Sequence, residues 1–434
     1  MSVFQDHPLR KRLAEEGHAR PYRLLRAPMV LSHLTVLTGE LGGDADRAHV
    51  ADLCRRLGAP PPEEGATHYN GALGPFHLKW ERHTEFSSYT FYVDGPYDHP
   101  FDDPAIGHVP EDWLAALPGQ VLGATHLGLE DEDAGVRSFA DLAALFNDNT
   151  VTGSGMYGGE ALVWTDFRLH KDGFGRILIR NRGLNQRQAG RLIQRLLEVG
   201  TYRMMAMLGF PLARDALPKV AASERDLSAL IAAMTDVETL EDERNMLKRL
   251  SELAARAETL SAKTSYRFAA TGAYHELVRR RIKELRELRL DDAQVRGLQP
   301  PGEFVNRRLK PAMETCRSVT ARQETLSRRI GRASDLLRTR VNVALEEQNR
   351  DLLQSMDRRA RVQLRLQETV EGLSVVAISY YLLGLVAYLA KGAKAAGLKI
   401  DPDIAAGLAL PLIAGAVWMG VKRLRRALAG KDEP

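Results

Sequence analysis

Four histidines are the first residues of this chain that could do chemistry, because they lie on segments whose alternating pattern predicts β-strands. His33, His77, His83 and His126 could converge on a sheet and hold a metal ion through their imidazole nitrogens. No short ligand spacing such as HExxH accompanies them. Imidazoles satisfy ordinary hydrogen bonds as readily as they bind metals. We therefore favour core or surface histidines and expect no metal or cofactor.

Two groups of carboxylates could bind Ca²⁺ or Mg²⁺. One is Asp98, Asp102 and Asp103 in a proline-rich loop, and the other is the acidic run at residues 130–133. Neither spacing matches an EF-hand, and clustered like charges usually mark exposed segments. We interpret both groups as solvated loops.

Residues 153–158 read GSGMYG and match GxGxxG. A polar loop precedes this stretch and a predicted strand follows it, so there is no helix N-terminus to hold a pyrophosphate. The prediction is a flexible loop rather than a dinucleotide site. The chain also has no GxSxG and no Walker A sequence, and we expect a protein that is not an enzyme.

The first half of the chain alternates strand and helix signals. Strands are predicted at 29–37, 76–83, 86–93, 121–129, 161–169 and 174–180, with a helix at 186–208. These elements predict one α/β domain over residues 1–217 with a mainly antiparallel sheet.

The second half is predominantly helical. One apolar stripe begins near residue 221, a second helix covers 263–290, and a third runs from 303 to about 390. At about 1.5 Å per residue the third helix would span on the order of 130 Å. Residues 218–371 are thus a predicted long-helix stalk. It could pack as a coiled coil on copies of itself or as a three-helix bundle within one chain.

Two uncharged runs predict a membrane hairpin. Residues 372–390 and 404–421 are each long enough to cross a bilayer core, which takes roughly 17–25 residues. The complete prediction is an α+β protein in which the hairpin, residues 372–421, follows the stalk and precedes a basic tail at 422–434.

Positive charges set the predicted orientation. Arginines precede the first run and basic residues follow the second, namely Arg358, Arg359, Arg361, Arg365, Lys422, Arg423, Arg425 and Arg426. Both clusters stay in the cytoplasm if the hairpin crosses and returns. We expect a multi-pass protein of the bacterial inner membrane with both termini cytoplasmic. The N-terminus shows no apolar signal-peptide core, and two distant cysteines argue against a disulfide framework.

One helix face carries polar residues toward the membrane. Gln363, Gln367, Glu371 and Ser374 follow steps of four, four and three, and Tyr381 extends the same face. If several copies surround an axis, this face could line a pore. Alternatively, the first three residues lie outside the bilayer, and the serine and tyrosine pack between helices.

Several long stretches resemble a family of bacterial membrane-anchored proteins catalogued only as a domain of unknown function. They are HPLRKRLAEEGHARP, RHTEFSSYTFY, WTDFR, GRLIQRLLEVGTYRMMAMLGFP and QNRDLLQSMDRRARVQLRLQETVEGLSVVAISYY. His18, Arg20, Arg82, His83 and Glu85 match the signature positions of that family. The resemblance implies a location and no established activity. A structural hydrogen-bond network explains these residues as well as a site does.

The layout is also similar to that of CorA-type divalent-cation transporters, which are homopentamers whose first span lines the pore. That family has Gly-Met-Asn at the outer end of the first span, whereas residues 388–392 read YLAKG here. Lys391 and Lys394 would repel a cation. Magnesium transport is therefore not the expected activity.

Two hypotheses about function remain. The first is a membrane-anchored scaffold or regulator that touches anionic lipid headgroups through its arginines and tends to self-associate. The alternative is a homo-oligomeric, CorA-like ion channel or transporter. The net charge of +4 is nearly balanced, so we expect no nucleic-acid partner.

Overall fold

The computed structural model describes residues 6–11, 13, 22–39, 43–237, 239–396 and 401–429. It contains one eight-stranded sheet, helices on both faces of the sheet, and two long C-terminal helices. The predicted α+β class is therefore confirmed. His18 and Arg20 lie outside the described residues.

The strands are β1 Met29–Leu37, β2 His68–Leu73, β3 Phe76–Arg82, β4 Phe86–Asp94, β5 Gln120–Glu130, β6 Thr152–Met156, β7 Ala161–Thr165 and β8 Gly175–Asn181. The helices are α1 Gly43–Arg56, α2 Glu111–Ala115, α3 Phe139–Leu145, α4 Gln186–Met207, α5 Gly209–Ala233, α6 Leu240–Glu284, α7 Pro301–Ala395 and α8 Pro402–Ala429.

The sheet order is β2-β3-β4-β1-β5-β8-β7-β6. Strands β5 and β8 pair in parallel, and the other neighbouring strands among the described residues pair antiparallel. This arrangement confirms the prediction of a mainly antiparallel sheet.

Strand β1 lies in the middle of the sheet and is covered on both faces. Met29 and Leu31 pack into a core with α4, whereas Val30 and Leu34 pack into a second core with α1. Successive side chains of a strand point to opposite faces. His33 therefore points to the same face as Met29 and Leu31, beneath α4.

Strand β6 corrects the prediction of a flexible loop at residues 153–158. The strand is buried, and Gly155 exchanges backbone hydrogen bonds with Leu288, 3.1 and 2.9 Å long. A Cβ at Gly155 would lie 2.3 Å from Leu290 Cδ1, and one at Gly153 would lie 2.8 Å from Leu298 Cδ1. The glycines are needed because these leucines pack directly on the strand backbone. Between β6 and β7 this described segment has only a three-residue 3₁₀ turn, Tyr157–Gly159, so it lacks the α-helix of a dinucleotide site.

The sequence analysis does not predict strand β2. Several helix boundaries also differ from the predicted ones. Helix α5 begins at Gly209 rather than near 221, because Pro211 is tolerated in a first helical turn. The predicted apolar stripe that begins near residue 221 is interrupted after Ala233 by a 3₁₀ turn at Met234–Asp236, and helix α6 begins at Leu240. There the Thr239 hydroxyl accepts a 3.1 Å hydrogen bond from the Asp242 N–H at the start of α6. Helix α6 then continues to Glu284 without the predicted second start at 263.

The chain divides into two compact units. Unit 1 comprises Met1–Asp236 and Lys248–Ser334, and unit 2 comprises Val237–Leu247 and Asp335–Pro434. The functional boundaries expected at residues 217, 371 and 421 stay predictions.

Unit 2 contains two candidate membrane-spanning segments, one within α7 and one within α8. Both are long and apolar enough to cross a bilayer, and among the described residues only 11% of the first and 0% of the second is buried. Helix α7 begins at Pro301 and ends at Ala395, close to the predicted limits.

Candidate functional site

A cavity of about 300 Å³ lies in unit 1 between the sheet and helix α4. Strands β1, β5, β7 and β8 contribute to its walls, together with the end of α6 and the start of α7. Most lining side chains are apolar, for example Leu122, Val163, Ile177, Leu196 and Val305. A volume near 300 Å³ is at the lower end of the range for small-molecule sites.

The cavity floor is polar around His33. Its Nδ1 shares a 2.8 Å hydrogen bond with Thr90 Oγ1, and its Nε2 lies 3.2 Å from Thr201 Oγ1. Thr201 also shares a 2.8 Å hydrogen bond with Thr35. This group joins β1, β4 and α4, so it fixes the helix above the sheet.

Burial determines the charge of His33. Loss of hydration, followed by the positive charge of Lys79 and by His83, lowers the pKa of His33 to about 3. The imidazole is therefore neutral near pH 7. A base with so low a pKa is poorly matched to proton abstraction at that pH.

Arg203 on α4 lines the cavity, is half-buried, and has no acidic partner at ion-pair distance within the described ranges. Its Nε is buried and has no hydrogen-bond partner among the residues that the structure describes. Burial lowers the pKa of the guanidinium below its usual value. Its nearest aromatic neighbour is Phe167, whose ring centre lies 5.4 Å from Arg203 Cζ.

Phe167 is held in an unusual backbone conformation beside Arg203. Its φ of 55° lies in the left-handed region, which is rare for a bulky residue. The ring stacks on Phe304 of α7 with centroids 5.0 Å apart. Such strain is retained where the surroundings fix it, often at functional sites. Phe167 thus connects Arg203 to the first turns of α7.

A second cavity of about 260 Å³ lies next to the first and shares His33, Leu197 and Thr201 with it. Its cations have acidic partners: Lys79 Nζ lies 3.1 Å from Glu81 Oε1, and Arg281 pairs with Glu198. Arg23 likewise pairs with Asp94 at 3.0 Å. The second cavity is therefore compensated in charge, unlike the surroundings of Arg203.

The described signature residues lie at the connection between β3 and β4. Glu85 is buried, and its carboxylate accepts hydrogen bonds from Arg267 and, at 3.0 Å, from the Tyr274 hydroxyl. His83 stacks on Phe86 with centroids 4.3 Å apart, and Arg82 is opposite Ser87 in the strand register. Glu85 attaches this connection to α6. The functional role of the signature residues stays a prediction.

The four strand histidines do not meet at one point. His77 Nε2 bonds Asn70 Oδ1 at 2.6 Å, His126 Nδ1 bonds Ser32 Oγ at 2.9 Å, and His33 has the threonines described above. Within the described ranges, no group of three or more potential ligands could hold a metal ion.

The acidic run at residues 130–133 is only partly solvated, which corrects the interpretation of it as an exposed loop. Glu130 ends β5, is buried, and accepts a 2.9 Å hydrogen bond from Arg180 as well as one from Arg137. The three acids that follow it are exposed. Glu130 is thus part of a buried ion-pair network.

The polar face predicted near the membrane lies on α7. Gln363, Gln367 and Tyr381 are exposed, whereas Glu371 and Ser374 are half-buried. The Ser374 hydroxyl donates a 2.8 Å hydrogen bond to the Val370 carbonyl of its own helix. A pore-lining role for this face stays a prediction.

Sequence reasoning missed Arg203 and Phe167, although a signal for Arg203 was present. Residues 196, 200 and 203 follow helical steps of four and three, so the arginine lies on the same face of α4 as the buried Leu196. The stretches WTDFR and GRLIQRLLEVGTYRMMAMLGFP, which carry part of the family resemblance, both line the first cavity.

The comparisons with known proteins identify a family and no activity. Residues 5–428 match the family described as "Protein of unknown function (DUF3422)". No curated protein and no solved structure matches the chain. Because the match covers nearly the whole chain, the protein belongs to this family.

Proposed function

We propose that this member of a family of unknown function is a membrane-anchored regulator. Its α/β unit binds a small molecule, and its C-terminal hairpin holds that unit at the cytoplasmic face of the bacterial inner membrane. One observation carries the proposal. Helix α7 lines the cavity with Pro301, Gly302 and Val305 and also contains the first candidate membrane-spanning segment.

The start of α7 is well placed to respond to a ligand. Glu287 accepts 3.0 Å hydrogen bonds from the Gly302 N–H and from the Ser154 hydroxyl, which fixes the first turn to β6. A ligand that touches Gly302 or Val305 can bias the position of this turn. It shifts an equilibrium by as much as its affinities for the two positions differ.

The chemistry of the cavity supports binding rather than catalysis. The nearest arrangement to a nucleophile and its base is Thr201 with His33, at 3.2 Å. The low pKa of His33 makes the imidazole a weak base, and its other nitrogen is engaged by Thr90. Walls of leucine, valine and isoleucine suit the body of a bound molecule.

Hydrogen–deuterium exchange on the full chain in nanodiscs tests the coupling. Gly200 lines the cavity and has nothing within 4 Å of a Cβ placed on it. Gly200→Phe should fill the space and change exchange in α7 beyond residue 335. Gly200→Ala is the matched control, since one methyl group leaves most of the cavity open. Unchanged exchange beyond residue 335 in Gly200→Phe would refute a regulatory role for the cavity.

The orientation is tested by labelling single cysteines with a membrane-impermeant maleimide in spheroplasts. Both native cysteines are buried, so background labelling should be low. Lys394→Cys, between the two candidate spans, should be labelled from outside, and Lys422→Cys only after lysis. The reverse pattern, or equal labelling of both, would contradict the proposed orientation.

Anionic lipid headgroups are the proposed partners of the arginines before the first span. Arg358, Arg359 and Arg365 are exposed on α7. Basic residues near the membrane surface contribute about 1 kcal/mol each on anionic lipid. This attraction would hold the part of α7 that precedes the first candidate span against the bilayer surface.

A homo-oligomeric channel is the second candidate, and one observation favours it. Leu345, Leu352, Leu366 and Leu373 recur at multiples of seven along α7, and the last three are more than half exposed. Such spacing is typical of helices that associate in coiled coils. A ring of about five chains by light scattering, with ion flux altered by Glu371→Lys, would establish this candidate. A monomer or dimer would exclude a shared pore axis.

A further inference from the structure

We propose that the cavity beneath α4 binds an amphipathic organic anion, with its single anionic head group on Arg203 and its apolar body between the sheet and α4. This inference rests on the proposed function only in taking the cavity as a binding site. It adds the class of ligand and the residue that selects it.

The charges that line the cavity are all positive. Arg168, Arg176 and Arg203 contribute to the lining, and no Asp or Glu does so among the described residues. Arg176 is already engaged, because its Nη1 donates a 2.6 Å hydrogen bond to the Leu145 carbonyl. Arg168 is exposed and lies beside the exposed Leu169. Within the described part of the chain, Arg203 is therefore the half-buried lining cation that remains without a counter-ion.

An enclosed guanidinium without a carboxylate is costly, because it has lost hydration and gained no opposite charge. The other enclosed cations near this site each have an acidic partner, as Lys79 has Glu81 and Arg281 has Glu198. A ligand carboxylate would supply the missing charge to Arg203. The planar guanidinium can bind both carboxylate oxygens at once.

Two neighbouring groups restrict where the head group of the ligand can lie. Phe167 covers one face of the guanidinium, so the open hydrogen-bonding edge is directed elsewhere. The N–H of Gly302 is occupied by Glu287, so the start of α7 does not supply the anion's partner. Thr35 and Thr201, on the cavity floor, contribute uncharged hydroxyls to the lining.

The remaining walls determine the rest of the ligand. Leu122, Val163, Ile177, Leu196 and Val305 are apolar and line one cavity of about 300 Å³. Inorganic phosphate or acetate would leave these walls uncovered. A diacyl phospholipid is too large for the space. A carboxylate on a medium-length alkyl or aromatic body fits both the charge and the volume.

The test uses the full chain in nanodiscs with octanoate as the probe. Octyltrimethylammonium has a body of similar length and the opposite charge, so it controls for uptake into the lipid. Octanoate should raise the unfolding midpoint of unit 1 with saturation, and octyltrimethylammonium should not. Arg203→Met should weaken octanoate binding about tenfold to a hundredfold, because a charge-assisted hydrogen-bond pair is lost.

Gly200→Phe provides a second variant that leaves the arginine in place. It should abolish saturable octanoate binding by occupying the apolar space, whereas Gly200→Ala should retain binding. Equal binding of octanoate by the wild type and Arg203→Met, or equal binding of the cation, would overturn the proposal. If Arg203→Met does not fold, octanoate binding that survives Gly200→Phe overturns it.

The outcomes separate this inference from the proposed function. Arg203-dependent octanoate binding without altered exchange in α7 would keep the ligand site and refute regulation through the helix. Altered exchange in α7 of Gly200→Phe, together with no octanoate binding by the wild type, would support the proposed coupling and refute the proposed anionic ligand.

Discussion

Unit 1 and unit 2 treat large apolar side chains in opposite ways. Trp80, Trp113 and Trp164 of unit 1 are each 0% exposed, whereas Tyr380 and Tyr388 of unit 2 are 74% and 76% exposed. Unit 1 therefore buries its largest aromatic side chains within the chain. Unit 2 leaves that surface for another apolar environment to cover.

This difference favours different solvents for the two units. A run of outward-facing leucines along α7 and α8 is unfavourable in water, and hydrocarbon removes that cost. A helix satisfies its own backbone hydrogen bonds and can therefore cross a bilayer. The contrast favours a membrane around the end of α7 and α8 and water around unit 1.

The largest predicted effect contrasts a buried with an exposed ion pair. Glu130→Ala leaves Arg180 buried without its carboxylate and should lower the free energy of unfolding of unit 1 by about 3–5 kcal/mol. The exposed pair Asp357–Arg361 in unit 2 is the control. Asp357→Ala should change the free energy of unfolding by less than about 1 kcal/mol. Urea unfolding followed by tryptophan fluorescence measures both. Similar effects for the two variants would contradict the contrast.

The next largest effect on the free energy of unfolding is expected when leucines are truncated to alanine. Leu192→Ala removes a 0% exposed side chain from the core beneath α4 and should cost about 2–5 kcal/mol. Leu385 on α7 is 59% exposed, so Leu385→Ala should leave the stability of unit 1 unchanged. The same urea titration in nanodiscs compares the two variants. A loss in Leu385→Ala as large as that in Leu192→Ala would mean that the span stabilises unit 1 directly.

Acid should weaken unit 1 through His33. Its pKa is about 3 in the folded state, against an ordinary histidine value of 6.5, so between these pH values the unfolded chain binds a proton that the folded chain does not. The free energy of unfolding is therefore undiminished above pH 6.5 and falls as the pH drops toward 3. The slope is about 1.4 kcal/mol per pH unit for each such proton.

His33→Gln should flatten this pH dependence, although it also lowers stability at pH 7. His77 and His126, whose pKa values burial lowers to about 4, act in the same direction and should retain part of the slope. Thermal unfolding between pH 7 and 4 gives the slopes, with His99→Gln at an exposed position as the control. An unchanged slope in His33→Gln would show that the imidazole is not buried.

The smallest effect tests whether the cavity is open space within an otherwise packed unit. Gly200→Ala adds a methyl group that meets nothing within 4 Å, in the interior of a helix. It should raise the free energy of unfolding by about 0.5–1 kcal/mol, because alanine loses less backbone freedom than glycine. Gly190→Ala, on the same helix, places its Cβ 1.9 Å from the Arg23 carbonyl oxygen and should destabilise unit 1. Destabilisation by both variants would mean that the cavity is filled.

Elements with a strong local pattern could be predicted, and those that depend on distant contacts could not. Strand β1 follows from a short run rich in apolar and β-branched residues, and helix α7 from a long apolar periodicity. Strand β6 reads as a loop because its glycines have no side chains to form a pattern. They are needed for Leu290 and Leu298, which lie far along the chain.

The site depends on distant contacts to a greater degree. His33 was recognised as a strand histidine, but its partners Thr90 and Thr201 lie 57 and 168 residues away. Arg203 lies on the same face of α4 as the buried Leu196, yet no local pattern indicates that carboxylates are missing from its surroundings. That feature results from how four strands and three helices enclose one space.

Spin labels in nanodiscs test the central claim most directly, namely that the two units lie in different solvents. Single labels would be placed at Leu385 in α7, at Leu412 in α8, and at the exposed Leu169 of unit 1. Labels at Leu385 and Leu412 should collide mainly with oxygen dissolved in the bilayer. The label at Leu169 should collide mainly with a water-soluble nickel chelate. Ready access of the nickel chelate to Leu385 and Leu412 would contradict the account, because the hairpin would then lie in water.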